Sequence, residues 1–273
     1  MKIINLSALI LLTSLSVNAQ KFTDKVNLSK GQKIEIISDS KQTMTMTGMD
    51  MNSKSTTTLE GTVVDISGDN YIVKAKISKL KLSSSGSGYE QEFDSEKPDK
   101  NSKEMNEALK EKLNVEESYS IDGKTGAVTS LTAVDNDDIM EDLMNGSSNI
   151  SGALNEMFLI IPDGKKKGDS WTVIKNDKGM NILTTYTLKD VSGNVATVDF
   201  KVFTNIKTTS EMQGMEVAID MKINNAGTLY VNTTTGIVSK KNSTAKTDGS
   251  TEVMGQTMEI SSEAKVENTF SVK

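Results

Sequence analysis

The stretch Thr62-Val63-Val64-Asp65-Ile66-Ser67-Gly68, followed by a strand-like run over 71–77, returns 125 positions later as Thr187-Leu188-Lys189-Asp190-Val191-Ser192-Gly193, followed by 195–202. A plan repeated within one chain constrains the fold more than any single residue, because both copies must build the same supersecondary unit. Two further matches extend it. Lys30-Gly31 and Lys167-Gly168 each precede an apolar strand at an offset of 137, and Tyr119-Ser120-Ile121-Asp122-Gly123-Lys124-Thr125-Gly126-Ala127-Val128 answers Tyr230-Val231-Asn232-Thr233-Thr234-Thr235-Gly236-Ile237-Val238 at an offset of 110, with Tyr119 one place out of step with Tyr230. The offset shrinks along the chain, so the first copy carries the longer loops.

Strand patterning dominates both copies. Tyr71, Val73, Ala75 and Ile77 alternate with polar neighbours, and the phase then slips to Leu80 and Leu82, which predicts a bulge near Ser78-Lys79. Val217, Ile219, Met221 and Ile223 alternate in the same way, and Met258, Ile260, Ala264, Val266, Phe270 and Val272 hold even phase to the C-terminus. One wet face per strand is the mark of antiparallel sheets. Thr47-Gly48, Ser67-Gly68-Asp69-Asn70, Ser192-Gly193-Asn194, Gln213-Gly214 and Gly255-Gln256 read as the hairpin turns, the last as a type II′ pair.

Helical signals fall where the copies differ. Pro98-Asp99 opens a charged stretch in which Met105, Leu109 and Leu113 recur every fourth position, predicting an inserted helix over 99–113. Asp135 to Asp138 form an acidic helix start, followed by Ile139, Met140, Leu143 and Met144, with Gly146 as a stop; residues 150–158 add another turn or two before Pro162. The expected division is therefore a leader at 1–19, a first β pseudo-repeat at 20–134, a helical connector at 135–161 and a second β pseudo-repeat at 162–273. Residues 20–273 should form one unit. The fold class is mainly β: a large curved antiparallel sheet or half-barrel built from two pseudo-repeats, with a few helices packed on it.

Residues 1–19 have the plan of a secretory signal, with Lys2 as the charged start, an apolar run over 3–15, and Val17-Asn18-Ala19 as the cleavage site before Gln20. The apolar run is shorter than the ~20 residues that span a bilayer, and no second such run follows. The mature chain is expected to be soluble in the periplasm or secreted. Its charge is acidic, −6 overall and −7 once Lys2 is removed, which argues against nucleic-acid or anionic-membrane partners. All 31 basic residues are Lys, so no planar guanidinium is present for bidentate capture of phosphate.

On these residues the chain resembles a family of exported, uncharacterised β-rich proteins of Bacteroidota. The resemblance is carried by Gly168-Asp169-Ser170-Trp171 after Pro162, by the two Asp-x-Ser-Gly turns, and by the Tyr119-x-x-Asp122-x-x-Thr125-Gly126-x-Val128 hairpin. It extends over most of residues 27–272 and implies export and fold without supplying any catalytic residue. In architecture alone, the chain is also similar to periplasmic lipid and lipoprotein carriers, whose half-open barrels are lidded by helices.

The missing residue types close most chemistry. Without His or Cys there is no Ser-His-Asp or Cys-His site, no disulfide and no usual zinc, haem or blue-copper ligand set. Ser38-x-x-Lys41 and Lys124-Thr125-Gly126 match two penicillin-recognition motifs, but Ser38 lies in a strand rather than opening a helix, and the third motif is missing. Asp135, Asp137 and Asp138 lack the spacing of a calcium loop and read as a helix start. Lys165-Lys166-Lys167 reads as a solvated turn.

Methionine is the unusual element. A turn at Thr47-Gly48 sets Met46 opposite Met49 and Met44 opposite Met51 on one hairpin face; Met212 and Met215 flank Gln213-Gly214 alike, and Met254 and Met258 border a third tip. Thioethers suit Cu(I), adaptable apolar contact or ordinary packing, and the metal reading is the one not favoured. No catalytic, cofactor or metal residue is assigned. Met44, Met46, Met49, Met51, Met212 and Met215 are the candidate contact surface, for a hydrophobic ligand or an envelope protein. The expected role is non-enzymatic binding or envelope structure. The alternatives are a periplasmic carrier of a lipid-like ligand, marked by a cavity under the helices, and a carboxylate-dependent hydrolase, marked by two buried carboxylates facing one cleft.

Overall fold

Long alternating strands joined by two-residue turns build one open antiparallel sheet. The computed structural model describes residues 21–86, 88–110, 112–132, 149–177, 179–212, 215–253 and 255–273. The leader and the acidic helix start at 135–138 lie outside them. The strands are β1 (Lys33–Met46), β2 (Met49–Ser67), β3 (Asn70–Gly86), β4 (Tyr89–Asp94), β5 (Glu117–Asp122), β6 (Val128–Ser130), β7 (Ser170–Asp177), β8 (Met180–Ser192), β9 (Val195–Met212), β10 (Met215–Asn232), β11 (Val238–Val253) and β12 (Gln256–Val272). All twelve belong to a single sheet of order β6-β5-β3-β2-β1-β12-β11-β10-β9-β8-β7, with β4 added alongside the far half of β3. The sheet is not closed.

The repeated sequence becomes a repeated path. Strands β1-β2-β3-β5-β6 and β7-β8-β9-β10-β11 follow the same order, and β12 joins the two sets by pairing with both β1 and β11. Local details coincide as well. One extra residue bulges out of β2 at Val64 and out of β8 at Lys189, the same place in the repeated heptad. Each bulge turns an aspartate outward to a lysine, Lys30 to Asp65 at 3.0 Å and Lys167 to Asp190 at 2.9 Å. Both pairs are solvated and contribute little stability. The Gly31 and Gly168 amides donate to the Val63 and Leu188 carbonyls.

After β5 and after β10 the chain makes the same Asx turn. Asp122 Oδ1 accepts from the Lys124 and Thr125 amides, and Asn232 Oδ1 from those of Thr234 and Thr235. Residues 22–28 strap these turns together, with the Thr23 amide donating to the Thr233 carbonyl and the Val26 amide to that of Gly123. Phe22, Val26 and Leu28 are buried there in the main core.

The first copy is longer because β4 and a helix replace the outer arm that β10 provides in the second. The predicted helix over 99–113 is shorter than expected. A 3-10 turn at Pro98–Lys100 gives way to α1 (Lys103–Lys110), because Asn101 bonds back to Asp94 and the Ser102 hydroxyl accepts from the Met105 amide to start a new helix. Met105, Leu109 and Leu113 pack on the core as the stripe predicted. Within the connector the described helix is α2 (Ile150–Asn155), capped by the Asn149 side chain, with Ile150, Ala153 and Leu154 buried.

The bulge expected near Ser78-Lys79 is at Ser78. Thr47, with φ of 50°, and Gly48 form a two-residue turn with both φ angles positive. Gln256, expected in a turn with Gly255, is instead a strand residue paired with Val253.

Glycine at 227 is required by the sheet itself. A Cβ there would lie 1.9 Å from the Asn242 carbonyl oxygen, whereas one at Gly193 would meet nothing within 4 Å and suffer only its φ of 57°. Gly227→Ala is therefore expected to lower stability by about 3 kcal/mol. Gly193→Ala should cost about 1 kcal/mol. Urea denaturation of the two variants, compared by midpoint, checks the order.

Candidate functional site

Register aligns core-facing residues into rows that cross the sheet. One row reads Leu188, Val198, Leu229, Lys241, Asn268, Ser38, Thr57 and Leu80 from β8 to β3. The rows on the strap side of it are apolar and covered: Ile34, Ile36, Leu59, Val73, Ile77, Val231 and Phe270 pack with the strap and α2. A lysine in the middle of such a face is unexpected. It is there because Ser239 bulges out of β11, so that Val238 and then Lys241, rather than Lys240, share the buried face.

Lys241 is neutralised locally. Its side chain is 9% exposed, and its ammonium pairs with Oε1 of Glu156, the residue that ends α2. Glu156 Oε2 accepts from Asn268 Nδ2 at 2.6 Å, and the ammonium lies 5.4 Å from the centre of the Phe200 ring. Asn268 is 1% exposed, and its Oδ1 has no hydrogen-bond partner. Tyr186, stacked on Trp171 at 5.3 Å, borders this node, and burial first, then the Glu156 charge, pushes its pKa up. Tyr119 is also pushed up strongly, by burial and then by donating to Glu117, but it sits in the first copy on β5. Glu156 and Lys241 were not legible as partners in the sequence. Nothing in the alternation of β11 marks position 241 as buried, since its core-facing residues from 241 to 251 include no large apolar side chain.

Beyond this row the core face continues outward, half-buried along its central strands. The next rows pass through Phe200, Gly227, Ser243, Val266, Ser40 and Ser55, then Val202, Asn225, Ala245, Ala264, Gln42 and Ser53. Apart from the buried Phe200 these side chains are small or medium-sized and half-buried. Asn225 Oδ1, on the same face, is buried and unpartnered. Farther out, Ile206, Val217, Ile219 and Met221 form a second, smaller core flanked by Met180, Ile223, Val253 and Ile260. Between the Lys241 row and this second core, from residue 241 to residue 249, β11 carries the face about 26 Å at ~3.3 Å per residue.

The hairpin methionines fall where the sequence placed them. Met44 pairs with Met51 and Met46 with Met49, so all four share the core-facing side of the first hairpin tip, with Met49 exposed and the others half-buried. Met212 pairs with Met215 across the next tip. The two tips are not brought together: the row of Met46 crosses β9 at Ile206, three rows short of Met212. Met254 lies outside the described residues, as do Asp135, Asp137 and Asp138. Lys124-Thr125-Gly126 forms the first Asx turn, with Lys124 paired to Asp69 at 3.0 Å, while Ser38 lies mid-strand between Thr57 and Asn268. The Lys165–Lys167 segment is a turn whose lysines bond to the Ser170 carbonyl and Asp190.

Two hollows bear on the alternatives. Under α2 a space of about 10 Å³ is bounded by Ile36, Ser38, Thr57, Leu59, Ile77 and Ile150. That holds a water and no lipid. A groove of about 450 Å³ lies near the Lys33–Lys273 end and is lined largely by charged side chains, including Glu35, Glu60, Lys74 and Lys76. On the opposite face, Ile174, Leu183 and Phe203 form an exposed apolar row beside the free edge at β7, 67%, 42% and 41% exposed.

A family of unknown function, DUF6263, matches residues 127–238, from the first Asx turn to the start of β11. The stretch is narrower than the resemblance over 27–272, and it identifies an uncharacterised domain. No curated protein matches the chain. Among solved structures, one of lipovitellin concerned with its lipid–protein interactions is similar over 90% of this chain, with a TM-score of 0.52 at 9% identity. The chain spans about a quarter of the lipovitellin chain, 26%. The translocator domain of the autotransporter NalP from Neisseria meningitidis is matched over 89% of each chain with a TM-score of 0.24 and 6% identity. The lipovitellin likeness is one of fold. Among the described residues, no helix is long and apolar enough to cross a membrane.

Removing one partner of a buried ion pair leaves the other charge uncompensated. Glu156→Gln is expected to destabilise the protein by about 3 kcal/mol, at the low end of the buried-pair range because Glu156 is itself partly exposed. Lys241→Met added to it should recover most of that loss, and chemical denaturation of the single and double variants measures both.

Proposed function

We propose that this is an exported, non-enzymatic binding protein that takes an extended apolar ligand on the outward half of its core face. The supporting observation is the run of small, half-buried core-face side chains, Ser243, Ala245, Ala264, Ser40 and Ser55, which continues outward past the Lys241 row. A sheet face that keeps its side chains small over such a length leaves room above it. Its length of about 26 Å exceeds the ~15 Å hydrocarbon depth of one bilayer leaflet, half of ~30 Å. The ligand lies along an open trough, since the space under α2 is too small for it. The shared fold with lipovitellin, whose solved structure concerns lipid–protein interactions, supports a lipid-like ligand. Against a hydrolase, the acid at this node among the described residues is Glu156, already paired with Lys241.

Export follows from the leader, in a cell of the Bacteroidota type that the resemblance implies. Intact-mass measurement of protein from its own host should give a chain starting at Gln20; retention of residues 1–19 would overturn the export assignment.

Binding is tested by titrating methyl oleate, an acyl chain without a charged head, against the fluorescence of Trp171, which stacks at the trough's edge. Saturable binding is expected, and Ala245→Trp, which fills the trough, should abolish it while leaving the melting temperature within a few degrees. Absence of saturable binding by the parent protein, together with no lipid-sized adduct in native mass spectrometry, would sink the reading.

A further inference from the structure

Among the described residues, β7 lacks a neighbour that its counterpart β1 possesses. The offset of 137 sets Lys33, Glu35, Ile37 and Asp39 of β1 against Ser170, Thr172, Ile174 and Asn176 of β7. Hydrogen bonds agree with that alignment: the Val63 amide donates to the Gln32 carbonyl, and the Leu188 amide to that of Asp169. Antiparallel bonds alternate along a strand, so residues 34, 36 and 38 bond to β2, and residues 171, 173 and 175 bond to β8. The intervening residues turn their N–H and C=O groups the other way. In β1 they meet β12, starting with Lys33 and Lys273, whose amides and carbonyls exchange two bonds of 2.9 Å. In β7 the Ser170 carbonyl, pointing to the free side, accepts from the Lys165 ammonium at 2.9 Å, and the backbone groups of Thr172, Ile174 and Asn176 follow it outward.

Sheet edges are normally blunted by charge, proline, bulges or shortness. The other edges here are: β6 has three residues and its Val128 amide is taken by Asn155, while β4 presents exposed Glu90 and Glu92. From Ser170 to Ile174, β7 carries no charge, no proline and no register shift. Ile37 is half-buried between β2 and β12, whereas Ile174 at the same place is exposed, as is Val173 on the other side of the strand. A second copy of this chain offers the matching strand in its own β7. Antiparallel pairing about a two-fold axis requires outward-pointing residues to face one another. An axis at Ile174 sets Ile174 against Ile174 of the second copy and Thr172 against its Asn176, forming about six backbone hydrogen bonds. That register puts no like charges opposite each other between residues 172 and 176, and it carries the apolar row of Phe203, Leu183 and Ile174 straight into the same row of the second copy. We infer that the protein forms a two-fold dimer by antiparallel pairing of β7 with β7 of a second copy, which joins the two sheets edge to edge; this stands independently of the ligand reading.

Sedimentation velocity of residues 20–273 tests the dimer. A reversible equilibrium is expected, reaching twice the monomer mass in the submillimolar range. Thr172→Pro removes an outward N–H and leaves the ladder to β8 intact, a place where edge strands tolerate proline. It and Ile174→Lys should each weaken dimerisation by about tenfold or more, because each substitution counts twice across the axis. The melting temperature of dilute protein should stay within a few degrees of the parent's. Because the chain has no cysteine, Ile174→Cys supplies a single thiol. Facing residues in a hydrogen-bonded pair lie about 5.5 Å apart at Cα, within disulfide reach, so mild oxidation should cross-link Ile174→Cys and leave Thr172→Cys monomeric under denaturing conditions. Cross-linking of Thr172→Cys in place of Ile174→Cys overturns the stated register. A parent protein that stays monomeric through the submillimolar range, or a dimer that neither Thr172→Pro nor Ile174→Lys weakens, overturns the proposal. In the monomeric outcome, slow hydrogen exchange at the amides of Thr172, Ile174 and Asn176 would place the occupant of the edge within the chain itself.

Discussion

Side-chain parity is the constraint on which this structure depends. In a strand, neighbouring residues face opposite sides, so a single extra residue sends everything after it to the other face. Val64 and Lys189 are such residues at matching places in the two copies, Ser78 is another in β3, and Ser239 is the fourth in β11. The first two turn Asp65 and Asp190 out to their lysines. Ser78 restores Leu80 and Leu82 to the core side. Ser239 does the opposite of what hydrophobic burial alone would choose, and turns Lys241 in.

From that inward lysine follows the internal polar node. A buried ammonium is tolerated only with a partner, and the partner comes from the connector between the copies, where Glu156 ends α2. The same carboxylate fixes the Asn268 amide. The pair thus ties the connector to β11 and β12, the two strands that bring the second copy up against β1 of the first. It also marks a boundary: strapward of it the core is apolar and sealed by residues 22–28 and α2, and outward of it β11, β1 and β2 carry small side chains up to the second core.

Much of this architecture is local and was therefore readable. Turn pairs such as Thr47-Gly48 and Gly193-Asn194, the matching segments at 119–128 and 230–238, the Ser78 slip and the pairing of Met44 with Met51 each depend on a few neighbouring residues. The inserted helix was overestimated because Asn101 is drawn away to Asp94, a contact that its four-residue periodicity does not register. The node was missed for a comparable reason. Lys241, Glu156 and Asn268 are far apart in the chain, and β11 presents Ser, Ala, Thr and Gly to the core side, with no apolar alternation to show which face position 241 occupies.

The sequence by itself determined the repeated strand plan, the positions of most of its turns and one of its bulges, and the absence of histidine and cysteine chemistry, because each is written in adjacent residues or in composition. Only the tertiary structure decided that β12 bridges the copies, that Glu156 meets Lys241, and that the methionine-bearing tips of the two hairpins stand rows apart. Those outcomes depend on the register between strands distant in sequence, which hydrogen bonding across the whole sheet sets and no local pattern encodes.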